Sequence, residues 1–345
     1  MTRRFRPPVR HSGDVGRAAP YTRLLTPSPH SYAAAGVSLS AAEAVVERLR
    51  AAVESTGTSG FGAFAGLHPL DEQRLLAAST DGVGTKLILA RERGRLRDCG
   101  ADLAAHCIND VLTTGATPLM LLDYLAAGRI DLDEVAEVVE GAAAVCREAG
   151  VALVGGETAE LPGIYREGEL DVAGTCVGVV DRDELVDGST VEPGDAIVGF
   201  ASAGVHANGF TLVRRVLEDE NYDGDDLLAP TRLYLAETRA LRGRARAFAH
   251  VTGGGILGNL SRVVPGGLHA EVDWEAWRRP PVFEWLARHV EEDELRRVFN
   301  LGIGWCAVVA EPAEGELVIG RIVGRRLDGG SQERTRRLRR RRSEK

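Results

Sequence analysis

The run Asp81-Gly82-Val83-Gly84-Thr85-Lys86 places a carboxylate, two glycines, a hydroxyl and an ammonium within one short stretch. Gly82 and Gly84 let backbone approach an anion, Thr85 adds a hydroxyl, Asp81 suits a hard cation and Lys86 supplies fixed positive charge. Together these groups suit a magnesium polyphosphate. Magnesium prefers carboxylate oxygens and retains waters and substrate phosphates, so acids from other segments are expected to join it. Asp110 is the first candidate, because Asp102, His106 and Asp110 at i, i+4 and i+8 share one helix face, with Asn109 beside them. Read alone, that face is first of all a solvated acidic stripe. The run matches neither the G-x-x-x-x-G-K-[ST] nor the G-x-G-x-x-G phosphate loop. Of 42 lysines and arginines only Lys86 and Lys345 are lysine, so the chain uses arginine wherever either serves. A compact ammonium fits a phosphate oxygen in a tight site where a planar guanidinium does not; chance retention is the alternative.

Other glycine-rich segments extend the pattern. Thr58 to Phe64, with Gly60 and Gly62, can wrap a phosphate in successive backbone amides, although such loops are also ordinary turns. Gly155-Gly156-Glu157-Thr158 reads as a loop directly after the apolar strand Val151 to Val154, and ligands in α/β sheets gather beyond the carboxyl ends of strands. Glu157 is thereby a third acid near metal or phosphate. Ser202 to Gly209, carrying His206 and Asn208, runs from a strand into a helix start and forms a ready anion site. His250-Val251-Thr252-Gly253-Gly254-Gly255 ends the same way. The competing reading of His206 and His250 is a hydrogen-bonded structural histidine.

Elements that must position these residues follow from periodicity. Ala41, Val45, Val46 and Leu49 have helical spacing, Arg74 to Ala78 reads as a strand, Ala101 to Gly115 as a helix and Pro118 to Ala127 as a strand. Asp131 to Gly150 is a helix closed by glycine, and Leu170 to Val180 a strand. After a polar, Pro-containing connection at Asp181 to Asp195 come strand Ala196 to Ser202, helix Gly209 to Glu218 and helix Pro230 to Ala249. Strand Leu268 to Val272, helix Pro281 to Val290 and strands near Trp305 and Val318 complete the pattern. The fold class is α/β (α+β), with lobes at 31–185 and 186–328. Arg- and Pro-rich residues 1–30 read as a disordered extension, with an organellar transit segment or a misassigned start as alternatives. Residues 329–345 form a basic tail, read as solvated. A net charge of -8 argues against nucleic-acid binding by the folded part, and no apolar run reaches the ~18–20 residues of a membrane span. The five cysteines form no C-x-x-C pair, which favours a reducing cytoplasm over a disulfide framework.

In this order and spacing the segments resemble the aminoimidazole ribonucleotide synthetases, formally phosphoribosylformylglycinamidine cyclo-ligases. The likeness spans most of 31–309. It rests on Ser31-Tyr32 through Gly36-Val37, Gly60 to Phe64, Thr80 to Lys86, Asn109-Asp110, Val154 to Gly163, Ser202 to Phe210, Leu228 to Arg232 and Thr252 to Gly255. The resemblance implies a two-lobed fold: an N-terminal ATP-binding lobe whose mixed sheet pairs with its copy in a homodimer, and a C-terminal substrate-binding α/β lobe. It implies an enzyme of purine biosynthesis that uses ATP and Mg²⁺ to close formylglycinamidine ribonucleotide to aminoimidazole ribonucleotide. ATP would phosphorylate an amide-like carbonyl oxygen, and the substrate's amidine nitrogen would displace the phosphate without a protein nucleophile. Carried onto this chain, Asp81 and Asp110 hold the metal, while Lys86, Asp81, Glu157 and His206 are catalytic. Gly60, Gly62, Gly82, Gly84, Thr85, Lys86, Asn109, Gly155, Gly156 and Thr158 face ATP. His206, Asn208, His250, Thr252, Gly253 and Gly254 face the substrate. The chain departs from the family at Leu170 to Thr175, where relatives read Tyr-Asp-x-Ala-Gly-Phe. It departs again between Ala310 and Ile319, where a helix is missing, and at a shortened Leu217 to Leu227 connection. Another ATP-dependent phosphotransferase of the same superfamily and a non-catalytic nucleotide-binding paralogue are the alternatives.

Overall fold

The computed structural model describes residues 30–57 and 61–324. The expected extension up to residue 29, Gly60 and the basic tail lie outside the described residues. In chain order the first elements are α1 (Leu39–Glu54), β1 (Gly66–Pro69), β2 (Arg74–Gly82), α2 (Lys86–Glu92), α3 (Leu96–Leu112), β3 (Thr117–Ala127), α4 (Leu132–Ala149), β4 (Ala152–Glu160) and β5 (Leu170–Asp181). There follow β6 (Ala196–Ala201), α5 (Phe210–Leu217), α6 (Leu235–Ala240), β7 (Ala245–His250), α7 (Gly255–Leu260), β8 (Leu268–Val272), α8 (Pro281–Leu286), α9 (Glu292–Val298), β9 (Ile303–Val309) and β10 (Val318–Gly324).

The first lobe is a mixed sheet in the order β1-β2-β5-β3-β4. Only β3 and β4 run parallel, and such a pair needs a crossover, supplied here by α4. Local chemistry sets the bounds of α4: Asp131 caps it by accepting from the amides of Asp133 and Glu134, and Gly150 ends it with φ 72. α3 and α4 meet backbone to backbone. A Cβ on Gly100 would lie 1.8 Å from the Val138 carbonyl oxygen, and one on Gly141 1.9 Å from that of Arg97. The opposite face of the sheet stays open, with Leu122 and Tyr124 exposed and alternating with buried Leu121 and Leu125. The second lobe is a sheet in the order β7-β9-β6-β10-β8, antiparallel throughout, with every residue of β9 buried.

Three expectations are corrected. Pro230 to Ala249 is not one helix: residues 230–234 are irregular, α6 is short, and Ala245–His250 is β7, paired with β9. Its residues favour helix locally, but α3 side chains capture the amides of Thr231 and Tyr234, and β7 buries Ala247, Phe248 and Ala249. Gly155 to Thr158 is not a loop after a strand, because it lies inside β4, where Gly156 opposes Asp123 and Glu157 opposes Tyr124. Gly156 is needed there, since a Cβ would lie 1.7 Å from Asp123 Oδ1. The helix expected over 281–290 ends at Leu286, and α9 follows, anticipated by no earlier signal. β9 and β10 are joined directly by residues 310–317, without an intervening helix.

Candidate active site

The acidic stripe on α3 is not solvated: Asp102, His106 and Asp110 are all buried. Each reaches a different segment. Asp102 accepts from the Thr231 amide and hydroxyl, both at 2.7 Å, and lies 2.6 Å from Lys86 Nζ. Asn109 donates to the Arg232 carbonyl at 2.9 Å and accepts from the Tyr234 amide at 3.0 Å. Asp110 is bonded to His250 Nδ1 at 2.9 Å and to Ser79 Oγ at 3.0 Å. His106 Nδ1 stands 3.3 Å from Asp81 Oδ2, and its ring meets that of His250 edge-on with centroids 5.0 Å apart. One helix of the first lobe thus gathers β2, residues 231–234 and the end of β7.

Two carboxylate–imidazole pairs meet at this point, and their imidazoles are shifted in opposite directions. Burial pushes the His106 imidazole down, but the hydrogen bond and charge of Asp81 outweigh it, and its pKa rises. Burial pushes Asp81 up, yet the contact with His106 prevails and its pKa falls. The contact thus favours the charged form of each partner. At His250 burial wins over the bond to Asp110, so this imidazole is held below its usual range. Among the described residues the outer nitrogens of both rings, His106 Nε2 and His250 Nε2, find no hydrogen-bond partner.

Asp81 stands at the mouth of the cluster, with 41% of its side chain exposed. Its Oδ1 takes the Gly82 amide at 2.7 Å. A magnesium ion bringing its own phosphates and waters fits this acid, which keeps free lone pairs toward open space. Asp110 fits less well as a direct ligand, because its two oxygens are committed to His250 and Ser79. Among the described residues no group of three acids, histidines or cysteines is arranged to hold a metal by itself.

The remaining expected residues divide into groups. Lys86 is fully buried, with its ammonium bonded to the Ala229 carbonyl at 3.1 Å as well as paired with Asp102, so it faces protein rather than open space. Thr85 Oγ1 meets Thr211 Oγ1 at 3.0 Å, and Gly84 turns the chain into α2 at φ 67. His206, at φ 65, accepts the Ala203 amide on Nε2 at 3.1 Å inside its own turn, and burial holds its pKa well below the usual range. A Cβ on Gly253 would lie 3.5 Å from Asn208 Oδ1, so the two second-lobe turns are neighbours. Thr252 Oγ1 donates to Asn259 Oδ1 at 3.2 Å, and Gly254 caps α7 at φ 98. Gly155, Gly156, Glu157 and Thr158 are exposed on β4, three strand positions from Asp81 in the same sheet, roughly 14 Å. One chain does not bring Glu157 to Asp81. Ser79, the pairing role of Asp102 and Arg262, which grips the glycine turn at Gly62 to Phe64, had no local signal, because their partners lie far along the chain.

Fold and site define a two-domain protein of the AIR synthase related type. The family model described as "AIR synthase related protein, N-terminal domain" matches residues 62–180, and its C-terminal counterpart matches 192–325. A Synechococcus sp. (strain CC9605) phosphoribosylformylglycinamidine cyclo-ligase is 47% identical over 311 residues, covering 83% of this chain and 90% of that protein. A cyclo-ligase of the same name from Nitrosospira multiformis is 45% identical over 304 residues, covering 82% and 86%. The chain belongs to the phosphoribosylformylglycinamidine cyclo-ligase family. Among solved structures it shares its fold with thiamine monophosphate kinase from Aquifex aeolicus (TM-score 0.58, 15% identity, covering 81% of this chain and 94% of that one). It also shares it with T. maritima PurL complexed with FGAR (TM-score 0.54, 23% identity, covering 77% and 45%).

Proposed function

We propose that this chain catalyses ATP-dependent ring closure of formylglycinamidine ribonucleotide to aminoimidazole ribonucleotide, releasing ADP and phosphate. The observation that carries the reading is similarity to cyclo-ligases at 47% identity across both lobes, joined to a partly exposed Asp81 carboxylate that His106 and the Gly82 amide hold at the end of β2. An amide-like carbonyl is a poor electrophile. Transfer of the γ-phosphoryl group to its oxygen turns that oxygen into a leaving group, the amidine nitrogen then bonds to the carbon, and phosphate and one proton depart. Such a reaction asks for positioning and charge neutralisation more than for a nucleophile. Bound magnesium would neutralise charge on the polyphosphate. Asp81, fixed by His106 and the Gly82 amide, would hold it. Lys86 acts from behind, through Asp102 and Ala229, by keeping α2 and the 229–231 segment in place. The turns at Asn208 and Thr252 to Gly254 would seat the ribose phosphate.

The lobes divide near residue 185, and the first pairs with a second copy of the chain through its open sheet face. Exposed Leu119, Leu122, Tyr124 and Val154 support that reading, as does the distance that separates Glu157 from Asp81 within one chain. Among the described residues no helix is long and apolar enough to cross a membrane. Five buried, unpaired cysteines fit work in a reducing cytoplasm.

Purified protein supplied with formylglycinamidine ribonucleotide, Mg²⁺ and ATP should form aminoimidazole ribonucleotide and ADP in equal amounts. Asp81→Asn should keep the fold and lose about 100-fold or more in kcat. A folded protein that hydrolyses no ATP in the presence of this substrate would overturn the reading.

A further inference from the structure

Arg262 lies two residues beyond α7 and reaches into the first lobe. Its Nη2 donates to the Ala63 carbonyl at 2.9 Å and its Nε to the Gly62 carbonyl at 3.3 Å, contacts across 199 and 200 residues of sequence. The guanidinium carbon sits 3.7 Å from the centroid of the Phe64 ring. Phe64 itself is buried and packs into the second lobe's core with Ile256 and Leu260 of α7. Arg262 Nη1 lies 3.5 Å from Asn259 Oδ1, and Asn259 Nδ2 donates to the carbonyls of Thr252, Gly253 and Gly255. A single cation and one asparagine therefore connect the first-lobe glycine turn with the second-lobe glycine turn, which lie at opposite ends of α7.

The connection has a direction. A planar guanidinium carries five donors in fixed geometry and accepts nothing, so it draws carbonyl oxygens toward itself. With the Gly62 and Ala63 carbonyls turned to Arg262, the amides of that turn are left for another acceptor. Among the described residues the amides of Gly62, Ala63 and Phe64 make no backbone hydrogen bond. Consecutive free amides beside a glycine at φ 105 are the elements of an anion nest.

We infer that Arg262 is a positioning residue of the proposed reaction: it presents the amides of the Gly62 to Phe64 turn to the polyphosphate of ATP and registers that turn against Thr252 to Gly255. The inference rests on the functional reading above, but its test reads nucleotide binding directly. Titration calorimetry with the non-hydrolysable analogue AMPPCP and Mg²⁺ would compare wild type, Arg262→Gln and Arg262→Lys, with hydrogen exchange followed at the amides of residues 62–65. We expect Arg262→Gln to stay folded, bind the analogue about tenfold more weakly and raise KM for ATP by a similar factor. Loss of the protection that nucleotide confers on amides 62–65 accompanies this. Arg262→Lys should recover only part, since one ammonium cannot both bridge two carbonyls and stack on Phe64. Analogue affinity and amide protection within twofold of wild type in Arg262→Gln would overturn the inference. So would full recovery in Arg262→Lys, because a point charge would then suffice. Should Arg262→Gln unfold, the lysine variant alone decides by the same two readouts. Wild type that binds AMPPCP but does not cyclise the substrate would sink the functional reading and leave this comparison standing.

Discussion

Lys86 Nζ and Asp102 Oδ2 meet at 2.6 Å with neither side chain exposed to solvent. The lysine begins α2, the aspartate lies within α3, and both also hold the 229–231 segment of the second lobe. The pair is therefore part of what joins the lobes.

Removing one partner of this pair leaves a charge buried and uncompensated. Lys86→Met should cost about 3–5 kcal/mol in urea unfolding, and Lys86→Met/Asp102→Leu should recover part of that loss. Recovery stays partial because the Thr231 amide and hydroxyl lose their acceptor in the double variant. Unchanged stability in Lys86→Met with activity abolished would instead place the ammonium at the phosphates.

His206 should give stability an acid limb. Burial holds its folded-state pKa well below the usual range, so only the unfolded chain takes up the proton near pH ~6.5. The sign follows: stability is full above ~6.5 and falls as pH drops below it. His206→Asn, whose residue tolerates the left-handed backbone at φ 65, should flatten that limb without removing the share owed to His250. Melting temperatures measured from neutral to mildly acid pH in the two proteins check this; parallel curves would contradict it.

Two glycines should respond to alanine with opposite signs. At Gly141 the new methyl meets the Arg97 carbonyl at 1.9 Å and forces α4 from α3, at a cost of about 1–3 kcal/mol. At Gly258, inside α7, nothing lies within 4 Å, and alanine should stabilise by roughly 0.4–1 kcal/mol. Denaturant midpoints read both.

The open face of the first sheet should disappear in a dimer. Light scattering at micromolar concentration should report twice the chain mass for wild type and a single chain mass for Leu122→Asp/Tyr124→Asp, because burying two carboxylates without partners outweighs the apolar contact. A wild-type monomer would remove the pairing proposal.

Much of this molecule was legible in its residues. The run Asp81 to Lys86 shows by itself a carboxylate, two glycines, a hydroxyl and an ammonium side by side, and strands such as Leu170 to Val180 and the helix at Asp131 to Gly150 announce themselves by periodicity and caps. These are local signals. The order of the lobes and the family resemblance, which rests on short motifs in fixed order, are carried by the same signals.

Tertiary structure decided the rest. His250 and Asp110 are 140 residues apart, and Arg262 and Ala63 are 199 apart, so no window of sequence shows either contact. Lys86 was legible as an exceptional lysine, but its direction was not, since only the fold places Asp102 against it. Pro230 to Ala249 carries helical residues, yet captured amides and pairing with β9 override them. Local chemistry thus determined which groups this protein possesses. Long-range hydrogen bonding and burial, which require the folded chain, determined which of them face one another and which face open space.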